Sequence, residues 1–120
     1  MPTENEKLAQ RTRRNLQEFR MAFTDIRFDT ALNALPEEDQ KRAARARFGA
    51  ALAVQRIDND GFESIAEQLA AQAPRIRAGI AELDEALDDL AQAKAIIDAV
   101  ASAINLVGRA LSLVGIPLPI

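Results

Sequence analysis

The 120-residue chain contains no cysteine, histidine, tryptophan or tyrosine. Without cysteine there is no disulfide framework, redox switch or thiolate nucleophile. Without histidine the usual zinc sites and the commonest general acid–base are also missing. Glycine and proline, five of each, are too few to punctuate an all-β chain. The first residues, MPTENEKLAQRTRRN, have no apolar stretch behind their charges, as a secretory signal would require, and a cytoplasmic location is the expectation.

What is abundant is alanine (24 residues), with 13 leucines and 10 isoleucines against four valines and five phenylalanines. Alanine and leucine are the strongest apolar helix formers, and strand-favouring residues are comparatively few. The fold class is all-α, and residues 1–120 are enough for one domain with a substantial core.

Three helical arms are expected. Thr3 and Glu6 form a capping-box pattern, and Leu16, Phe19, Phe23, Ile26 and Thr30 then recur at spacings of three and four, a stripe ending near Ala34 ahead of Pro36. Pro36 suits the first position of a second helix, with Glu37, Glu38 and Asp39 favourably placed in its first turn and Phe48, Leu52 and Val54 on its apolar face. That helix either continues through Gly61 or breaks there, where Asp60 and Glu63 make a second capping-box pattern. Pro74 opens the third arm, in which Ile76, Ile80, Leu83, Leu87 and Leu90 keep a strict rhythm that Ile97, Ala101, Ile104, Gly108 and Leu111 continue. Arms at about 4–34, 36–72 and 74–115, the last roughly 60 Å long, with a short tail at 116–120, predict an elongated antiparallel three-helix bundle with coiled-coil-like packing.

The end of the third arm is unusual. From Ala95 to Ile116 the strongly polar residues Asp98, Ser102, Asn105, Arg109 and Ser112 fall in one stripe roughly 80° wide. The rest of the circumference is apolar, more than twice the face a surface helix of a small bundle needs. The covering is the bundle itself, another chain or a membrane. Helix-to-helix association makes Ile96, Ile97, Val100, Ile104, Val107, Leu111 and Val114 the expected interaction face, with Ala99, Ala103, Gly108 and Ala110 allowing close approach. The expected partner is a second copy or another helical protein. In the alternative, a membrane-active α-helical protein, pore-forming or peripheral, uses the same helix on a membrane surface. A constitutive span is disfavoured, because Arg109 near its middle costs about 2.5–3.5 kcal/mol and Pro117 and Pro119 end it early.

The net charge of −3 divides into +3 over residues 1–56 and −6 over residues 57–120. Arg11, Arg13 and Arg14 are expected level with Glu82, Asp84, Glu85, Asp88 and Asp89, pairing within the bundle and selecting register. Lys41, Arg42 and Arg45 form a modest basic patch beside the apolar segment, suited to anionic lipid or an acidic helix. Nucleic acid is disfavoured by the acidic balance and the lack of Trp and Tyr.

Catalytic and cofactor chemistry is not expected. Asp58, Asp60, Gly61 and Glu67 match part of a calcium loop, but Arg56 occupies its first ligand position. The acidic run 82–89 lacks the histidines of a di-metal bundle, and there is no phosphate-binding glycine loop or recognisable serine nucleophile. The expected function is that of a non-enzymatic interaction protein with no cofactor and no metal.

Overall fold

The computed structural model describes residues 1–113. Six α-helices follow in order: α1 (Glu4–Ala22), α2 (Ile26–Asn33), α3 (Glu37–Asp60), α4 (Phe62–Leu69), α5 (Ala73–Ala86) and α6 (Ala93–Ala110), with a 3₁₀ turn at Ala70–Gln72 before α5. The all-α class holds. Each of the three long arms is divided, and the described residues extend 43 Å along their longest axis, too short for an arm of about 60 Å.

The first division falls at 23–25. Thr3 caps α1 as expected, its hydroxyl accepting the Glu6 N–H at 3.1 Å. Asp25, in extended geometry, accepts the Arg27 N–H at 2.9 Å and starts α2 as a new helix. The apolar stripe changes phase across this cap. Phe28 and Leu32 enter the core while Ile26 is left 78% exposed. Phe19, Phe23 and Phe28 gather edge-to-face at the corner, with centroids 5.1–6.4 Å apart.

The second division is at Gly61, whose φ of +82° strains any residue with a Cβ. It ends α3 and starts α4 with no side-chain cap. The expected Asp60 cap is absent because the Asp60 carboxylate accepts from Arg56 at 2.7 Å and Gln68 at 3.1 Å. Pro36 stands one position earlier than expected, as the N-cap of α3.

The third division overturns the long final arm. α5 stops at Ala86 and residues 87–92 reverse the chain, the Asp89 carboxylate accepting the Ala91 N–H at 3.1 Å. α6 then runs back along α5. Ala103, one of the small residues expected to admit a partner, serves this crossing. A Cβ at Gly79 would stand 3.8 Å from Ala103 Cα and 3.5 Å from Leu106 Cδ1. Those are ordinary contact distances, so Gly79→Ala is expected to fit and to stabilise the chain by about 0.5–1 kcal/mol through helix propensity. A higher urea midpoint checks this.

With two of the arms folded back, the arrangement is a ring of four long helices. α1 packs on α3 and α5, and α6 packs on the same two helices from the diagonal position. Arg13–Asp58 ties the middle of α1 to the end of α3 and Arg47 over Phe23 ties the end of α1 to the middle of α3, making that pair antiparallel, whereas Arg42–Asp98 and Lys94–Asp39 make α3 and α6 parallel. α2 and α4 close onto the ring. Inside are fully buried leucines, isoleucines and phenylalanines, each such side chain contributing about 1.5–3 kcal/mol by leaving water. Two polar side chains are buried with them. The Thr12 hydroxyl donates to Leu8 O at 2.8 Å, and the Asn15 amide donates across to Ile80 O at 3.2 Å, keying α1 to α5.

Candidate interaction surface

The surplus apolar face of α6 is covered from within the chain. Ile96, Ile97, Val100, Ile104, Val107 and Leu111 are all at most 1% exposed, packed under α5 and α3 and touched by α2, α4 and the 3₁₀ turn. Val114 lies outside the described residues. The polar stripe faces water, with Asp98, Ser102 and Arg109 exposed and Asn105 half-buried. Among the described residues no helix is long and apolar enough to cross a membrane.

The basic patch is largely neutralised by its neighbours. Lys41 pairs with Glu37 at 3.5 Å along α3. Arg42 bridges Asp39 at 3.3 Å and Asp98 at 3.0 Å, and Lys94 joins the same two acids from α6. Arg45 is half-buried, and its Nε has no hydrogen-bond partner among the described residues. The pairing with Asp98 escapes a sequence reading that treats the charges of each helix locally. At Asp98 partial burial opposes ionisation, but hydrogen bonds from Arg42 and Lys94 outweigh it and lower its pKa.

Asp58 is lowered too, first by its two-pronged hydrogen bond from Arg13. A carboxylate lowered by folding stabilises the fold above its unfolded pKa, and that contribution is lost as pH falls through the folded value. With no histidine to titrate between about pH 5 and 8, the urea midpoint is expected to stay flat there. It should drop as pH falls below about 4 and on through the lowered values at which the paired carboxylates take up protons.

The expected charge register between α1 and the acidic run is not formed. Arg13 is taken by Asp58 on α3, and Arg11 and Arg14 make no ion pair among the described residues. Glu82, Asp84, Glu85, Asp88 and Asp89 are all exposed and lack a cation within 4 Å there. Asn15 stands level with Ile80, which sets Arg11, Arg13 and Arg14 ahead of the acidic run along α5, and Asp58 takes Arg13. The partial calcium loop is likewise taken up in ion pairs, Asp58 with Arg13 and Asp60 with Arg56.

An unforeseen surface lies between α1, α2 and α3. Here Phe23, Leu32, Ala44, Phe48 and Ala51 floor a groove of about 440 Å³, with Arg20, Gln40 and Arg47 on its rim. Phe48 is 53% exposed, so it is not part of the core face expected for it, and Leu52 is half-buried. Val54 is buried as expected, but the rest of the buried face of α3 is carried by Ala43, Ala46, Ala50, Ala53 and Ile57, at spacings of three, four, three and four. Phe48 is two residues, or about 200°, from both Ala46 and Ala50, and therefore points away. That alanine stripe was the available signal. It is overlooked when large apolar residues alone are counted as core.

Two arginines shape the groove. The Arg47 guanidinium sits 4.7 Å over the Phe23 ring, and Arg20 donates to Gln17 at 2.8 Å. Neither has a carboxylate within 4 Å among the described residues. On the other side of the α1 C-terminus a second groove, about 510 Å³, runs between Arg14, Gln17 and Met21 of α1 and Leu87 and Leu90 of the reversing turn. One end of the molecule thus carries a cationic aromatic groove and an acidic loop, separated by the last turns of α1. No protein-family model matches the chain, and no curated protein or solved structure is significantly similar to it.

Proposed function

We propose that the chain is a non-enzymatic helical-bundle interaction protein that associates with itself, and that it does so through the groove around Phe48 and not through α6. The observation that carries this reading is a phenylalanine left half in water beside two arginines without acidic partners among the described residues, on a chain whose other phenylalanines are buried or half-buried. Aromatic and arginine side chains in a concave patch are the composition of binding hot spots. The α6 face, by contrast, would have to abandon the core to meet a partner.

Light scattering after size-exclusion chromatography, over a wide concentration range, tests the proposal. Association is expected for the native chain, and Phe48→Ser is expected to raise its dissociation constant about tenfold or more while leaving the helical circular dichroism and the thermal midpoint nearly unchanged. A native chain that stays monomeric at every concentration refutes it.

A further inference from the structure

Resting on that self-association reading, we infer that the groove receives the acidic end of α5 from a second copy of the chain. The last turn of α5 is charged against its own backbone. It carries Glu82, Asp84 and Glu85, has no basic residue, and is followed at once by Asp88 and Asp89. Carboxylates at a helix C-terminus oppose the helix dipole. Among the described residues none of these five has a cation within 4 Å, Asp89 alone feeling the longer-range charge of Arg27, although acids elsewhere, such as Asp58, Asp60 and Asp98, are paired. The groove presents the reverse condition, with Arg20 and Arg47 on its rim and no acid lining it among the described residues. Each surface lacks what the other supplies.

Geometry decides how the copies meet. Groove against groove would set Arg20 and Arg47 beside their own like charges, and acidic loop against acidic loop is equally repulsive. The groove and the loop flank the same stretch of α1, with Arg20 and Phe23 on one side and Gln17 and Met21 beside Leu87 and Leu90 on the other. Pairing groove with loop in both directions about a two-fold axis beside α1 satisfies both sets of charges at once and closes the assembly as a dimer. The half-buried Leu87 and Leu90 supply apolar surface next to the carboxylates, to meet the Phe23–Phe48 floor.

Charge reversal with cross-rescue tests this arrangement by light scattering at low salt. Arg20→Glu with Arg47→Glu makes a groove-reversed chain, and Glu85→Arg with Asp88→Arg makes a loop-reversed chain. Each alone is expected to have its dissociation constant raised at least about tenfold, and the native dimer to weaken as salt screens the contact. An equimolar mixture should associate again, because both of its contacts regain opposite charges. Circular dichroism confirms that each variant is folded, and the neutral pair Arg20→Gln with Arg47→Gln provides a second, milder reading of the groove. Reversed or neutral chains that associate like the native one, or a mixture of folded variants that fails to recover, overturn the loop-in-groove contact. If Phe48→Ser still dissociates the chain, the groove reading survives that failure. A native chain that never associates removes both.

Discussion

Replacing Val107 with aspartate is expected to abolish the folded state, not merely to disturb an assembly. Val107 is wholly excluded from solvent on α6, the helix that packs on α3 and α5 and touches α2 and α4. The substitution removes about 1.5–3 kcal/mol of apolar burial. It also puts a carboxyl where no water reaches, which costs several kcal/mol more whether the group ionises or is forced to stay protonated. Against a total stability of about 5–15 kcal/mol for a domain, that loss is enough to unfold the chain or bring it to the edge of unfolding. Far-UV circular dichroism through a thermal ramp reads the outcome directly. A variant that keeps its cooperative transition and loses only association would place Val107 at an interface, contrary to its burial. Phe48→Ser is the matched control, since its expected effect is confined to association.

The second large effect is expected at Phe19. Its ring is fully buried and stands edge-on to Phe23 at 5.3 Å and to Phe28 at 6.4 Å. Truncation to alanine removes the ring and leaves a cavity that the α1–α2 corner cannot easily collapse to fill, for a cost of about 3–5 kcal/mol. The T-shaped contacts account for about 0.5–1.5 kcal/mol per pair beyond the buried area. Urea denaturation should show a lowered midpoint with an unchanged slope. Phe23→Ala should cost less, because Phe23 is half-buried. It should also weaken association, because Phe23 is both a core contact and part of the groove floor.

The all-α class followed from composition, the Thr3 cap from a local hydrogen-bonding pattern, and the possibility of a break at Gly61 from a glycine following Asp-Asn-Asp. The first needs no arrangement at all, and the other two depend on residues close together in sequence. The chain reversal at 87–92 was hidden because Leu83, Leu87, Leu90 and Ile97 keep helical spacing straight through it. Apolar rhythm records which residues turn inward, and a turn that re-enters in phase leaves the rhythm intact. The Asp25 and Asp89 turns were encoded in single carboxylates that accept nearby backbone N–H groups, a signal weaker than the stripes around it. The Phe48 groove was missed for a different reason. On α3 the core face is built of alanine, which reads as a helix former before it reads as a packing surface. The apolar excess of α6 was legible, but its covering depends on α5 lying antiparallel beside it, which no window of a single helix contains.

The central position of α6 has a consequence for the order of events during synthesis. The helices that pack on α6 leave the ribosome before it does, and until it emerges α3 and α5 lack the neighbour that joins them opposite α1 and closes the ring. Nascent chains ending before residue 93 therefore hold helices without a finished core, with Ile76, Ile80 and Leu83 lacking much of their cover. The complete core therefore becomes available only once α6 has emerged.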